Sequence, residues 1–295
     1  MLENDFDISK LTSFKVGGKV KKVYFPTSED EFVEILKSEP EAKIFGNLSN
    51  TLISSFGYDG TIVLTTKMDK VEIDGKEIYA QCGVKGPKLS QIAQQNSLSG
   101  FEFMIGFPGS VGGNVCMNAS AHAQCISDKL ISVRCFDGEQ VVEFSKEDMN
   151  FEYRHSVCSD NEKFVVLGAK FILDTAEKDV IQQKMNEDLA FRKEHQPSLA
   201  LPNCGSVFKN PEGDSAGRLL DSVGAKNMKV GGAKVWENHA NFIINNNNAT
   251  SLDILNLMKK MSDAVMDKYG IKLIPEVKFL GGKNKEEDDI WLKLK

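Results

Sequence analysis

The stretch GFPGSVGGN, Gly106 to Asn114, limits the fold of this chain more than any other, because it packs four glycines and a proline into nine positions. Glycine has no Cβ, so the backbone here can approach a ligand closely, and the proline inside the run is foreign to a dinucleotide fingerprint. The glycine spacing is not that of a GxGxxG dinucleotide fingerprint, and no Lys-Ser/Thr follows the last glycine as in a P-loop. What remains is a loop whose backbone N–H groups can face one concavity and hold phosphate oxygens without side-chain charge. A second turn-forming run, GNLSN (Gly46, Asn47, Leu48, Ser49, Asn50), begins 60 residues earlier, after a strand-like segment. Asn118, just past the long loop, adds a side-chain donor. Two such loops point to one extended ligand with a pyrophosphate, such as a dinucleotide. An ordinary tight turn is the other reading of each, and it suits GNLSN better than the glycine-dense loop.

Around these loops the hydrophobic pattern predicts an α+β chain. Lys22 to Phe25, Lys43 to Phe45 and Thr61 to Thr65 read as strands, with a helix between the first two opened by a Ser28/Glu31 capping box. Asp74-Gly75 and Asp137-Gly138 sit at the centres of two predicted hairpins. A short helix over Lys88 to Gln95 and a long buried strand over Phe164 to Leu173 complete the middle block. Glu177 to Glu194 repeats Val180, Met185, Leu189 and Phe191 as the apolar positions of a helix. After the loop QPSLALPNCG come a strand (Ser206 to Lys209), a helix (Ser215 to Val223), a strand (Asn241 to Ile244), and a helix from Thr250 to its stop at Gly270. The polar tail KNKEEDDIWLKLK reads as a mostly solvated end.

Thirty-six basic against 42 acidic side chains give a net charge of −6, so there is no general electrostatic reason to bind nucleic acid or an anionic membrane. No apolar run reaches the roughly 18–20 residues needed to span a bilayer. MLENDFDISK lacks the apolar segment of a signal peptide, and a cytoplasmic location is expected. The six cysteines show no CxxC or zinc-like spacing; they read as reduced thiols, and no metal site is expected.

The residues GFPGSVGGN, MNASA (Met117 to Ala121), YRHS (Tyr153 to Ser156), QPSLALPNCGSVFKNP (Gln196 to Pro211) and the final PEV carry a resemblance. From Leu11 to Gly281, in order and approximate spacing, the chain resembles the UDP-N-acetylenolpyruvoylglucosamine reductase family in its shorter form. The resemblance implies FAD-binding domains of the vanillyl-alcohol-oxidase-like type plus a C-terminal α+β substrate domain. It divides the chain into FAD-binding subdomains at 1–66 and 67–195, a substrate-binding domain at 196–281 and the tail at 282–295. It implies FAD as cofactor, NADPH as hydride donor and UDP-N-acetylglucosamine enolpyruvate as substrate. FAD contacts would come from Gly46, Asn47, Leu48, Ser49, Asn50, Pro108, Gly109, Ser110, Gly112, Gly113 and Asn118.

Three residues match the family's catalytic positions. Arg154 resembles the arginine that binds the substrate carboxylate, for which its planar fork suits it. Glu276 resembles a carboxyl group polarising the same region, and Ser206 the proton donor. Tyr153, Lys209 and Asn210 resemble substrate contacts, and Cys204 reads as a bystander thiol. The chain departs from the family at GNLSN for GGGSN, where Asn47 is expected to keep a left-handed turn. It departs again at Ser120, where MNASA replaces MNAGA, at His195, where a lysine is common, and at Asn241, where HANF replaces HAGF. Another flavin oxidase of the same fold, or a flavin-binding protein without turnover, are the alternatives.

Overall fold

Local capping chemistry starts the elements where the sequence places them. In the computed structural model, which describes residues 1–161, 163–198 and 200–295, α1 (Glu29–Ser38) opens with Ser28 Oγ accepting from Glu31 N. The Glu31 carboxylate does not close the reciprocal bond; it accepts from Thr27 N at 2.7 Å. Phe32, Ile35 and Leu36 are the buried stripe of α1, one helical turn apart. Leu199, inside the QPSLALPNCG loop, lies outside the described residues.

The chain forms two compact units. The first holds Met1–Leu2, Val23–Asn47 and Thr61–Arg192. In it β1 (Lys43–Phe45) pairs in parallel with Ile62 to Leu64. Its main sheet contains β2 (Val71–Asp74), β3 (Glu77–Gln81), β4 (Leu130–Phe136), β5 (Val141–Ser145) and β6 (Val165–Ile172), in the antiparallel order β5-β4-β6-β3-β2. Gly75 and Gly138 take positive φ at the two hairpin tips, where the sequence puts Asp-Gly. α2 (Gly86–Gln95) shares with this sheet a core that includes Phe101, Phe103, Met104 and Phe171, and α3 (Val111–Cys116) packs on β6 and β3. A short helix, α4 (Val157–Asp160), follows YRHS. The helix α5 (Lys178–His195) buries Ile181 and Met185, whereas Val180, Leu189 and Phe191 are exposed. Of the four apolar positions expected to line its buried face, Met185 is buried and the other three are exposed; Ile181, beside Val180, takes the second buried place.

The second unit holds Glu3–Lys22, Leu48–Gly60 and Lys193–Lys295. It contains α6 (Ala216–Ser222), the antiparallel pair β7 (Ala233–Trp236) and β8 (His239–Asn245), and α7 (Ser251–Tyr269). α7 has a full capping box, Thr250 with Asp253, and stops at left-handed Gly270. Ile254, Met258, Met261 and Val265 are buried on α7, at the spacing that the sequence sets.

The tail is not a solvated end. Lys285–Leu294 forms α8, and Ile290, Trp291 and Leu294 pack into the core of the second unit. Its Glu287 is fully buried; one carboxylate oxygen accepts from Ser54 Oγ at 2.5 Å and the other from Ser251 Oγ. Ser55 and Ser251 exchange backbone-to-hydroxyl bonds of 2.7 and 2.9 Å beside it. The carboxylate is buried only because two serines from distant positions, Ser54 and Ser251, complete its hydrogen bonding, and a tail read by itself gives no sign of them. Trp291→Ala should therefore destabilise the protein by about 3 kcal/mol in urea unfolding. A change within about 0.5 kcal/mol would restore the solvated-tail reading.

Candidate active site

In the first unit the two glycine-containing runs meet. A Cβ on Gly46 would stand 1.9 Å from Ser110 Oγ, so only glycine lets the strand end pass this close. Asn47 Nδ2 donates to Pro108 O at 2.6 Å across the same gap. The long loop is not the amide nest that its glycines suggest. Gly106, Gly109, Gly112 and Gly113 are not among the glycines with positive φ. The amides of Val111 and Gly112 turn inward to Val84 O and Cys82 O, each at 2.8 Å. Close packing selects the glycines instead: a Cβ on Gly112 would lie 2.9 Å from Cys82 Cβ, and one on Gly109 would lie 2.3 Å from Asn114 Oδ1. Gly113 is exposed with room to spare.

Two asparagines give this loop its polar lining. Asn114 and Asn118 are buried, yet Asn114 Nδ2 and Asn118 Oδ1 have no protein partner. One donor and one acceptor orphaned beside a glycine-smoothed surface fit a ligand rich in both, as a dinucleotide is. This is the test that FAD must meet, and the residues present meet it. Asn118 is left-handed, at φ 40°, and its Nδ2 donates to Glu152 O at 3.1 Å. It thereby ties the loop to the segment that carries Arg154.

That segment is a tight turn. Glu152 and His155 exchange backbone bonds of 3.3 Å, and Arg154 occupies the third position with φ 56°, where glycine or asparagine is usual. Non-glycine residues in this region cost about 1–2 kcal/mol and concentrate at functional sites. Ser156 Oγ fastens the turn to Cys116 O at 2.8 Å. The Arg154 guanidinium lies 5.1 Å from the centre of the exposed Tyr153 ring, and its Nη1 donates to Ser120 Oγ at 2.8 Å.

The second unit holds Ser206, Lys209, Asn210 and Glu276. Ser206 to Lys209 is extended but is joined by single bridges, Ser206 to Phe242 and Phe208 to Pro275, rather than by a ladder. Asn241, which sequence reasoning saw only as a departure from glycine, explains this. Its side chain is buried, accepts from Phe208 N at 3.0 Å and donates to Phe208 O at 2.8 Å, so that an amide replaces a strand partner. On the other side Glu276 N donates to Val207 O at 2.8 Å and Lys209 N to Ile274 O at 2.9 Å. Asn50 Nδ2 supports Glu276 O at 3.1 Å. Asn210 uses its Oδ1 on Ala216 N at 3.1 Å, at the start of α6. Burial pushes the Cys204 thiol well above its usual range and the Glu276 charge adds to this, so Cys204 is a neutral thiol at physiological pH.

The GNLSN departures also resolve. Asn47 is not among the left-handed residues; Leu48 is, at φ 50°. Its side chain is buried, and its carbonyl accepts from Ser13 N at 3.4 Å and Ser13 Oγ at 3.3 Å. Burial and these bonds hold a leucine where the backbone prefers glycine. No group of three or more metal-binding side chains occurs among the described residues, and no described helix is long and apolar enough to cross a membrane.

Comparison with known proteins gives two family matches: an FAD binding domain over residues 20–143, and the UDP-N-acetylenolpyruvoylglucosamine reductase C-terminal domain over residues 196–280. The chain is 38% identical over 284 residues to a UDP-N-acetylenolpyruvoylglucosamine reductase of Caldicellulosiruptor saccharolyticus, covering 94% of this chain and 91% of that one. It is 36% identical over 282 residues to one of Latilactobacillus sakei, covering 94% and 92%. The crystal structure of the UDP-N-acetylenolpyruvylglucosamine reductase of Thermus caldophilus superposes with a TM-score of 0.81 at 29% identity, covering 95% of this chain and 98% of that one.

His239, two residues before Asn241, gives a test of the second unit that needs no ligand. Burial, and then the Lys226 charge, lowers its pKa below the usual 6.5; its Nδ1 accepts from Asn241 N at 3.1 Å, which requires an unprotonated nitrogen. The unfolded chain takes up this proton at higher pH than the folded one. The stabilisation is thus complete above about pH 6.5 and is lost as pH falls below it. Between about pH 7.5 and 5.5 the melting temperature of His239→Gln should fall less steeply than that of the parent protein; equal slopes would show that His239 does not contribute.

Proposed function

The chain belongs to the UDP-N-acetylenolpyruvoylglucosamine reductase family, and from that premise we propose that Arg154, Ser206 and Glu276 carry the reduction of UDP-N-acetylglucosamine enolpyruvate to UDP-N-acetylmuramate. It is an FAD-dependent oxidoreductase with NADPH as hydride donor. Its six cysteines are all free thiols, which supports a reducing, cytoplasmic setting.

Bound FAD supplies hydride transfer, the part of the chemistry that side chains cannot perform. Gly46, Asn47, Pro108, Gly109, Ser110 and Gly113 would line its site with Asn114 and Asn118. Leu48, Ser49 and Asn50 continue the first run, and Gly112 supports the loop through its packing on Cys82. What this chain adds is charge control on the substrate. Hydride delivered to the terminal alkene carbon leaves negative charge on the carbon beside the carboxylate. Arg154 binds that carboxylate and lowers the energy of the enolate-like species, an effect worth about 3 kcal/mol for a fixed donor. Glu276 polarises the same region, and Ser206 gives the proton that completes the product. Tyr153, Lys209 and Asn210 contact the sugar nucleotide.

The observation that carries this reading is the rigid hold on both halves of the pair in the second unit. Val207, between Ser206 and the Asn241-clamped Phe208, takes the Glu276 amide. The chain thus fixes serine and glutamate relative to each other before substrate arrives, as a positioned acid requires. As the experiment, Ser206→Ala should bind FAD and accept hydride from NADPH at close to the parent rate. Its reduction of the enolpyruvyl substrate should fall by at least about 100-fold. If both half-reactions slow equally, Ser206 is not the proton donor.

A further inference from the structure

We infer that Ser120 is a positioning residue that holds the Arg154 guanidinium in the plane in which it receives the substrate carboxylate; this rests on the carboxylate-binding reading of Arg154. The two residues are 34 apart in sequence, and Nη1 of the arginine donates to the serine hydroxyl at 2.8 Å.

Each end of this bond is itself fastened. Ser120 lies in a two-rung hairpin opposite Cys125. The hairpin tip, His122 and Ala123, is left-handed at both residues, at φ 52° and 59°. There the His122 ring meets Phe191 edge-on at 5.1 Å, and its Nε2 stands 3.5 Å from Asp188 Oδ1, so α5 anchors the tip. At the other end the Arg154 turn is closed by its own backbone bonds and tied to Asn118 and Cys116. Arg154 also opposes the upward shift of the Cys125 thiol, so its charge bears on the hairpin as well as on the Ser120 hydroxyl.

The physical consequence is preorganisation. An arginine side chain carries about 2 kcal/mol of rotamer entropy, and because the guanidinium moves as one rigid plane a bond at one nitrogen restricts the whole fork. With the Tyr153 ring centre 5.1 Å from the guanidinium and Ser120 on Nη1, part of that ordering is in place before the carboxylate binds. A ligand bearing the carboxylate gains from it; one that lacks the group does not. The hydroxyl belongs to the serine of MNASA, the position where the sequence departs from MNAGA.

The experiment compares two ligands by calorimetry on the FAD-loaded protein: UDP-N-acetylmuramate, which carries the carboxylate, and UDP-N-acetylglucosamine, which does not. Ser120→Ala should weaken the first by about tenfold and leave the second unchanged, and Ser120→Thr should restore the first. Equal weakening of both ligands would mean that Ser120 merely supports the fold, and no weakening of either would remove its role altogether; both overturn the inference. Arg154→Gln separates this from the reading beneath it. If that variant binds UDP-N-acetylmuramate as the parent does, Arg154 is not the group that binds the carboxylate. If it weakens that ligand while Ser120→Ala does not, Arg154 stands and Ser120 alone is wrong. A second Ser120→Ala change made on Arg154→Gln should weaken binding no further.

Discussion

The first unit depends on one close approach, that of Gly46 to Ser110. With 1.9 Å between a hypothetical Cβ and the serine oxygen and 3.0 Å to the serine Cβ, any side chain at position 46 would displace the Ser110 hydroxyl and press on the loop. Further contacts continue from there along the loop. Asn47 reaches Pro108, Gly109 makes room for Asn114, and the helix beyond ends near Asn118, whose amide holds the Arg154 turn. A dinucleotide lying on this surface would therefore be coupled through a few hydrogen bonds to Arg154, the cation proposed to bind the substrate carboxylate. The strained φ of Arg154 is tolerated because the turn is fixed on three sides.

The second unit solves a different problem with the same economy of means. The segment carrying Ser206 has no regular strand partner, and Asn241 provides one from a side chain, with Glu276 and Ile274 closing the other side. The C-terminal helix then fixes the Ser54–Ser55 region by inserting Glu287 among hydroxyls. A buried carboxylate without those bonds would be strongly destabilising, so α8 is bound to one location on this unit.

Much of this was legible in the sequence where the cause is local. Ser28, Thr250, Gly270 and the Asp-Gly hairpins work through neighbours a few residues away, and they fall where they should. The site motifs were legible as residues but not as geometry. The glycines of GFPGSVGGN signalled a special loop, yet they serve close packing rather than left-handed amides, because their neighbours, Cys82 and Asn114, cannot be inferred from spacing. Leu48 and Asn47 exchanged roles for the same reason: burial and the Ser13 contacts outweigh intrinsic backbone preference. Glu287, Asn241 and Ser120 were beyond reach, since each acts on a partner at least 33 residues away. On α5 Met185 is buried as its spacing suggests, but Val180 and Ile181 are both apolar and only the packing chooses between them, and Leu189 and Phe191 stay exposed.

The central claim is that this chain joins a flavin site to a carboxylate-handling site for an enolpyruvyl sugar nucleotide. The most direct test is NADPH oxidation by the FAD-loaded protein, followed with and without UDP-N-acetylglucosamine enolpyruvate. The account predicts rapid oxidation only when that substrate is present, with one NADPH consumed for each UDP-N-acetylmuramate formed. Oxidation that proceeds equally without it, or stops after the bound flavin is reduced once, would contradict the account.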